Sequence, residues 1–273
     1  YIYRTGLGIK AGEKKLGRKM THLLLDGGIV SVPADREQEF LEKYAVELAK
    51  GTDLYVVEMK SEPCFFFMSE FDIKLPDREI NQEELLTFVR TIQSVISAAF
   101  KEVADVTVAV STAPSKQSET KDHRPCIQSG VHLNWRIPVD LETAWILRAW
   151  IIRELDKALP QSVAFPIMEP WYDGYDPCVL LENGLRMIGS KKAEPCSVCK
   201  GRNCYKRGKK TTAIGPSMAS AAALTPDDVG YVCEACQSIG RIDKFRPYTL
   251  VMVADGDGNP IQVMDAGLRT ELP

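Results

Sequence analysis

The sequence predicts an α+β fold, in which a mixed sheet is flanked by long helices and is followed by a small cysteine-rich module. Short apolar stretches that suit β-strands alternate with stretches of helical periodicity. The strand stretches contain polar interruptions, which indicates a mixed α/β or α+β sheet. Two Cys-x-x-Cys pairs lie outside this alternating pattern.

Composition sets limits on size, location and partners. The chain has 273 residues, of which 45% are hydrophobic, so it can form one large domain or two smaller ones. No stretch approaches the ~18–20 apolar residues of a membrane span and none resembles a signal peptide, so we expect an intracellular protein without membrane contact. The net charge of −3 argues against a uniformly basic nucleic-acid binder. Eight cysteines without a secretory signal favour metal ligands or buried thiols over disulfides.

Apolar runs and turn residues predict the strands. They lie at residues 22–26, 54–59, 65–74, 105–111 and 127–137, with a last strand in the TLVMVAD run after residue 241. The polar residues 113–125 between two of these strands predict a loop.

Helical periodicity predicts three helices, over residues 36–50, 82–103 and 141–159. Gly51 ends the first helix, and Asn81 caps the second. The buried face of the second helix is expected to contain Leu85, Phe88, Ile92, Ile96 and Phe100. The buried face of the third is expected to contain Leu141, Trp145, Ile152, Leu155 and Leu159.

The stretch FFFMSEFDIK, residues 65–74, places two acids at the end of an apolar strand. Residues i and i+2 of a strand point to the same face, so Glu70 and Asp72 are neighbours. Two carboxylates about 5 Å apart repel by about 3 kcal/mol at an effective dielectric constant near 20. A divalent cation relieves this repulsion, and so does exposure of both acids to water. The spacing alone leaves both alternatives open.

Two further stretches carry chemistry. In the strand IQSGVHLNWRI, Gly130 and His132 share a face, so the glycine is expected to clear space for a ligand beside the imidazole. A strand histidine that is simply hydrogen-bonded is the alternative. Further along, Asp176 precedes the run LRMIGSKK, which contains Arg186, Ser190 and Lys192. An acid, an arginine, a hydroxyl and lysines suit a metal-bound phosphate.

The strongest isolated motif is Cys196-x-x-Cys199 followed by Cys233-x-x-Cys236. Four thiolates on two tight turns suit tetrahedral zinc. The 33 residues between the pairs exceed what a compact ribbon needs, so they form an insertion, in which Cys204 is a spare thiol able to replace one ligand. A closed site of this type stabilises a small module, with a binding free energy on the order of 10–16 kcal/mol.

Positive charge is concentrated at the start of this module. Between residues 191 and 210, Glu194 is the only acid among eight basic residues: Lys191, Lys192, Lys200, Arg202, Lys206, Arg207, Lys209 and Lys210. Such a patch attracts phosphate despite the acidic net charge, although a solvated loop has the same composition.

Taken in order, these stretches resemble the motifs of the archaeo-eukaryotic primase superfamily, especially the primase domains of large DNA virus primase–helicases and the primase-polymerases. FFFMSEFDIK resembles the first motif, an apolar strand that ends in two acids one residue apart. Gly130-Val131-His132 resembles the second, and Asp176 with LRMIGSKK resembles the third. The resemblance spans about residues 20–192.

The resemblance implies a DNA primase or DNA-directed polymerase, a template-dependent nucleotidyltransferase that releases pyrophosphate. It implies two divalent metals, Mg²⁺ or Mn²⁺, held by Glu70, Asp72 and Asp176. His132, Arg186 and Lys192 are then expected at the phosphates of an incoming NTP or dNTP, with Ser190 nearby. Single-stranded DNA is the implied template, and relatives often carry a helicase domain further along the same chain.

The motifs also imply a division of the chain. Residues 1–192 are expected to form the primase-like core, residues 193–240 the zinc module with its basic loop, and residues 241–273 a returning strand and tail. The nucleus, the cytoplasm and a viral replication site are not distinguished.

Three positions depart from the family pattern. Glu70 stands where Asp is usual, Gln128 where relatives often carry Lys, and Gly130 where many carry Ser. Polymerisation is therefore more firmly implied than nucleotide affinity or unprimed initiation.

Two other functions compete with polymerisation. Asp72-Ile73-Lys74 also matches the acid-x-Lys element of metal-dependent nucleases, with Glu58 as the upstream acid. A non-catalytic zinc module that binds nucleic acid in a replication complex is the second alternative.

Overall fold

A computed structural model describes residues 20–25, 28–60, 63–103, 106–162, 165–181, 184–195, 203–207, 210–214, 241–243 and 246–263. Its strands are β1 (His22–Leu24), β2 (Ile29–Val30), β3 (Val56–Glu58), β4 (Cys64–Leu75), β5 (Val108–Thr112), β6 (Lys116–Glu119), β7 (Pro125–Asp140), β8 (Leu185–Arg186), β9 (Ala193–Pro195), β10 (Asn203–Arg207), β11 (Lys210–Ile214), β12 (Arg241–Asp243), β13 (Thr249–Ala254) and β14 (Pro260–Val263). Its α-helices are α1 (Glu37–Ala49), α2 (Gln82–Ala99), α3 (Leu141–Ala158) and α4 (Trp171–Gly174), with 3₁₀ turns at Ala34–Arg36 and Pro177–Leu180. Within these residues, no helix combines the length and apolar character needed to span a bilayer.

The main sheet has the strand order β14-β13-β5-β7-β4, and β6 also pairs with β7. All of these neighbouring strands are antiparallel. Strands β4 and β5, which α2 connects, run in the same direction because each pairs antiparallel with β7, which lies between them. The predicted α+β class is therefore confirmed, whereas the prediction of a mixed sheet is wrong for the described pairs.

The main core lies on one face of this sheet. Along β4, Phe71, Ile73 and Leu75 are buried and alternate with polar residues, as the period of a strand requires. Helices α2 and α3 pack over this apolar face and supply residues such as Ile92 and Ile151. The polar residues of β4 consequently lie on the opposite face.

Helix α2 begins where the sequence predicts. Asn81 accepts a hydrogen bond from the backbone N–H of Glu84, and the Glu84 side chain accepts one from the backbone N–H of Asn81. This capping box satisfies two N–H groups that the first helical turn leaves unpaired. The helix ends earlier than predicted, since Phe100 has left the helical conformation.

Only part of the stripe predicted for α3 is buried, namely Leu155 and, just after the helix, Leu159. Leu141 and Trp145 are 43% and 36% exposed, whereas the buried residues are Ala144, Leu147, Arg148, Ile151 and Leu155. The prediction counted only apolar side chains, but the buried face of α3 includes an arginine whose head group is hydrogen-bonded to backbone carbonyls.

A second, smaller sheet has the order β2-β1-β3-β8, again antiparallel. Phe40 of α1 packs on it in a separate core with Leu24, Val30 and Val56. Because β8 is the edge strand of this sheet, the sheet positions Arg186.

Of two segments of the main sheet, the sequence analysis predicts the strand β13 correctly but does not predict the strand β6. Residues 113–125 are not the predicted loop, because Lys116–Glu119 forms β6 and pairs with β7. The backbone groups of β7 on this side would otherwise be unpaired at a sheet edge. Strand β13, in contrast, lies where the sequence predicts a strand, and it pairs with β5.

His22 couples the stability of the small sheet to pH. Its ring is 7% exposed and packs on Phe40 with 4.5 Å between centroids, and burial lowers the pKa of His22 from 6.5 to about 4. Between these two values the unfolded chain binds more protons, so stability falls as the pH falls. This loss reaches up to about 3 kcal/mol in the free energy of unfolding, at about 1.4 kcal/mol per pKa unit.

We expect His22→Phe to reduce this acid sensitivity, because the phenyl ring does not titrate. The free energy of unfolding, measured by denaturant titration between pH 7 and pH 4, would fall less steeply than in the wild type. His123→Asn is the control, since the His123 side chain is 87% exposed. An identical pH dependence for His22→Phe and the wild type would contradict the assignment.

Candidate functional site

Antiparallel pairing of β4 with β7 brings two of the predicted motifs together. Glu70 lies opposite His132, and Asp72 lies opposite Gly130. These residues share the face of the sheet that is turned away from α2 and α3, because they alternate with buried apolar residues such as Phe71. The site is therefore built on rigid strands.

Glu70 is surrounded by groups that stabilise its charged form. Its Oε1 lies 3.2 Å from Nε2 of His132, and the Tyr248 hydroxyl donates to the same oxygen over 3.3 Å. Burial acts to raise the pKa of Glu70, but His132, the Arg186 charge and the Tyr248 hydroxyl together lower it below its usual value. The carboxylate is ionised and serves as a hydrogen-bond acceptor.

Asp72 has the opposite balance. Burial raises the pKa of Asp72, and the carboxylates of Glu70 and Asp176 raise it further. A hydrogen bond with Gln128 and the charge of Lys116 oppose these effects. Because burial, together with the two neighbouring acids, outweighs these opposing effects, an added cation beside this carboxylate would be favourable.

Asp176 reaches the site from a segment that lies along the free edge of β4. Its backbone N–H donates to the Glu70 carbonyl over 2.9 Å, and Tyr175 forms a β-bridge with Phe71. The Asp176 carboxylate accepts a hydrogen bond from the N–H of Cys178 at 2.8 Å and so caps the turn that follows. The third acid is thus adjacent to the first two along the strand edge, but its side chain is engaged with its own turn.

Arg148 of α3 donates hydrogen bonds to the backbone of the segment that precedes Asp176. It is 4% exposed, and its Nη2 donates to the carbonyls of Tyr172 and Tyr175 at 2.8 and 2.9 Å. The guanidinium also lies over the rings of these two tyrosines and of Trp145. Among the described residues Arg148 forms no ion pair with a carboxylate, so backbone carbonyls and aromatic faces compensate its charge.

Tyr248 fills the space that the sequence analysis assigns to a ligand beside Gly130. A Cβ atom on Gly130 would lie 2.5 Å from the Tyr248 hydroxyl oxygen, so the glycine accommodates this ring. The ring stacks on His132, with 3.3 Å between centroids and 18° between planes. The expectation of a ligand beside Gly130 stays a prediction, because the Tyr248 side chain of the same chain occupies this space in the structure.

His132 is enclosed by these contacts. It is 1% exposed, and neither ring nitrogen makes a well-aligned hydrogen bond to the described residues. Burial lowers the pKa of His132, against the opposing effect of Glu70, so the imidazole is neutral near pH 7. Nε2 is close to Glu70 but poorly aligned with it, so both ring nitrogens keep hydrogen-bonding capacity for a ligand.

Arg186 joins the cluster through the same tyrosine. Its guanidinium carbon lies 4.6 Å from the centroid of the Tyr248 ring, and its Nη1 donates to the Arg246 carbonyl at 2.9 Å. The Tyr248 ring therefore contacts both His132 and Arg186. These are two of the three side chains that the resemblance implies for phosphate binding, the third being Lys192.

Ser190 and Lys192 follow β8 in the chain. The Ser190 hydroxyl is buried, accepts from the N–H of Val56 at 2.8 Å, and lies 3.0 Å from the Tyr44 hydroxyl. These contacts fix the turn after β8 to the small sheet. Lys192 is half-buried and directly precedes β9.

A small cavity continues the same face of the main sheet. It has a volume of about 180 Å³ and includes Met68, Asn134 and Glu58 in its lining. Met68 and Asn134 are paired with each other two residues along the same strands from Glu70 and His132. The cavity is thus about 7 Å from the acid–histidine pair, at about 3.4 Å per residue.

The structure describes the residues of one predicted metal site, the three acids, but not those of the other, the four cysteines. Within the part of the chain that the structure describes, no three His, Cys, Asp or Glu side chains are gathered closely enough to hold a metal ion. Glu70, Asp72 and Asp176 thus form no metal-binding group in the arrangement seen here. The four cysteines of the predicted zinc site, Cys196, Cys199, Cys233 and Cys236, lie outside the described residues.

Three residues of this environment were missed by the sequence analysis. Tyr248 and Lys116 come from segments whose approach to the acids depends on sheet topology, so no local pattern reveals them. Arg148 leaves a detectable signal, because it is a charged residue within the buried stripe of α3.

Comparison with known proteins agrees with the arrangement of these motifs. A family model described as the C962R protein N-terminal AEP domain matches residues 21–206, more than half of the chain. No curated protein matches the sequence. AEP denotes the archaeo-eukaryotic primases, so the match supports an enzyme with primase- or nucleotidyltransferase-like activity on nucleotides and nucleic acid. The chain therefore belongs to the archaeo-eukaryotic primase family, in the group of the C962R N-terminal domain from a large DNA virus primase–helicase protein.

Proposed function

We propose that the protein is a template-dependent nucleotidyltransferase, a DNA primase or primase-polymerase, which joins NTPs or dNTPs on a single-stranded DNA template and releases pyrophosphate. The observation that carries the proposal is the pairing of β4 with β7, which sets Glu70 opposite His132 and Asp72 opposite Gly130. The backbone bond from Asp176 to Glu70 brings the third acid to the same strand.

The carboxylates suit Mg²⁺ or Mn²⁺ in their chemistry, since hard cations prefer carboxylate oxygen ligands. The environment of Asp72 supports this fit, because burial and two neighbouring acids disfavour its ionised form in the absence of a cation. Glu70, Asp72 and Asp176 would hold the metals. When bound, such metals lower the pKa of an attacking 3′-hydroxyl and neutralise the leaving pyrophosphate.

Basic and polar side chains of the chain would orient the nucleotide. His132 and Arg186 would donate hydrogen bonds to its phosphates, and Lys192 would add positive charge. The Ser190 hydroxyl, which is bonded to Val56 and Tyr44, would act by fixing the turn between Arg186 and Lys192. The cavity beside Met68 and Asn134 offers space for the nucleoside part.

The nuclease alternative is less well supported. It requires Lys74 to act beside Asp72, but Nζ of Lys74 pairs with Glu169 at 3.0 Å and also donates to the Glu119 carbonyl. Glu58, the proposed upstream acid, lies on β3 in the small sheet, although it lines the cavity beside Met68 and Asn134.

The catalytic assignment is tested by Asp72→Asn, which keeps the side-chain volume and removes the charge. We expect extension of a primed single-stranded DNA with Mg²⁺ or Mn²⁺ to fall by at least about 10²-fold, the usual scale for losing one stabilising group in a transition state. The exposed Asp77→Asn, just beyond β4, is the matched control.

Full extension by Asp72→Asn would contradict the assigned site. Shortening of the DNA by the wild type would instead support the nuclease. Salt-sensitive DNA binding without metal dependence or incorporation would support the non-catalytic alternative.

The support of the Asp176 segment by Arg148 can be tested separately. We expect Arg148→Met to lower the free energy of unfolding by about 1–3 kcal/mol, because two carbonyls lose their charged donor. Its kcat should fall more than its KM changes, since Asp176 would be displaced while the phosphate-binding residues remain. Arg153→Met, whose side chain is 63% exposed on the same helix, is the control. A wild-type kcat in Arg148→Met would exclude this positioning role.

We also propose that Cys196, Cys199, Cys233 and Cys236 bind zinc in a module that grips the template through the adjacent basic residues. Elemental analysis of the purified protein should find about one zinc per chain, because four thiolates fill one tetrahedral site. Cys233→Ser should lose the zinc, whereas Cys64→Ser should retain it, since Cys64 is an exposed free thiol. Wild-type protein without zinc would refute the module.

A further inference from the structure

The ring of Tyr248 occupies the space between two of the candidate phosphate-binding side chains. It stacks on His132 on one face, and the Arg186 guanidinium lies over the ring at 4.6 Å from its centroid. The ring is itself 2% exposed, so it closes the gap. A phosphate oxygen that accepts from both His132 and Arg186 would need the position of this ring.

The hydroxyl of Tyr248 reaches one of the candidate metal-binding acids. It donates to Oε1 of Glu70 over 3.3 Å, a long hydrogen bond. The acid, the imidazole and the guanidinium of this site therefore all contact one phenol. Glu70 accepts a hydrogen bond from Tyr248, the His132 ring stacks on it, and the Arg186 guanidinium makes a cation–π contact with it. If the ring left, all three groups would be able to interact with a charged ligand.

The backbone that carries Tyr248 is anchored independently of the ring. The N–H of Gly189 donates to the Tyr248 carbonyl at 2.6 Å, and the Arg246 side chain donates to the carbonyl of Pro114. Thr249, the next residue, is already paired with Thr112 in the main sheet. The backbone on both sides of Tyr248 is thus held by contacts that do not involve the ring.

We infer that Tyr248 is a built-in plug of the nucleotide site, which covers His132 in the absence of ligand and is displaced by the triphosphate of an incoming nucleotide. The inference rests on the proposed nucleotidyltransferase function and adds a regulatory step to it. Nucleotide binding then includes the cost of removing the ring. The measured affinity is lower than the intrinsic affinity by the fraction of molecules in which the site is open.

Binding of an inert nucleoside triphosphate, with a methylene bridge between its α- and β-phosphates, tests this competition. If the ring covers the site about 90% of the time, Tyr248→Ala should bind the analogue about tenfold more tightly than the wild type. Tyr248→Phe keeps the ring but loses the bond to Glu70, so it should tighten binding only about two- to threefold. Phe100→Ala, which removes a partly buried ring at the end of α2, on the opposite face of the main sheet, should leave the affinity unchanged.

Chemical modification of histidines tests whether Tyr248 shields His132 when no nucleotide is present. Diethyl pyrocarbonate modifies accessible neutral imidazoles, and mass spectrometry gives the rate at each histidine. In the wild type, the exposed His123 should react rapidly and His132 slowly. Tyr248→Ala should accelerate modification of His132 at least about tenfold, and Tyr248→Phe should leave it slow. Thermal unfolding checks the fold, and Tyr248→Leu replaces the alanine variant if that variant is unfolded.

The outcomes separate the plug from the proposed function. Tighter analogue binding together with faster His132 modification supports the plug. Unchanged or weaker analogue binding by Tyr248→Ala, in a protein whose wild type incorporates nucleotides, overturns it. If no variant binds or incorporates nucleotides, the proposed function fails, and the His132 modification rate alone then decides whether Tyr248 covers the imidazole.

Discussion

The register between β4 and β7 is the constraint on which the rest of the site depends. It sets Glu70 opposite His132 and Asp72 opposite Gly130, and it turns Phe71 and Ile73 into the core. A shift of one residue would exchange the two faces, which would bury the acids and expose the phenylalanine. The hydrophobic packing of α2 and α3 on one face therefore fixes the position of the polar groups on the other.

On the polar face, the surroundings stabilise the charge of Glu70 more than that of Asp72. Glu70 is compensated by His132, Arg186 and the Tyr248 hydroxyl, and its pKa is lowered, whereas the pKa of Asp72 is raised. Burying two like charges on adjacent strand positions is costly, and structural packing alone does not account for it. An acid whose pKa is raised, next to one whose pKa is lowered, is the arrangement expected where a ligand that carries a cation is to be bound.

The sequence predicts those parts of the site that depend on local pattern. The two acids on one strand face, the Asn81 cap of α2 and the Gly130–His132 strand all follow from spacing or composition, and the structure contains them. The packing of Tyr248 on His132 could not be predicted, because it depends on β13 joining the sheet beside β5. The strand β6 was likewise mistaken for a loop, since its four residues are polar and gain their stability from pairing with β7.

In the proposed function, the carboxylates of Glu70, Asp72 and Asp176 converge on shared divalent cations opposite His132. Anomalous diffraction from crystals grown with Mn²⁺ and a non-hydrolysable nucleoside triphosphate locates such cations directly. We expect anomalous peaks about 2.0–2.2 Å from oxygens of all three carboxylates, with the phosphates on the His132 side. Manganese bound elsewhere, or an Asp176 carboxylate still bonded to its own turn while the nucleotide is bound, would contradict the claim.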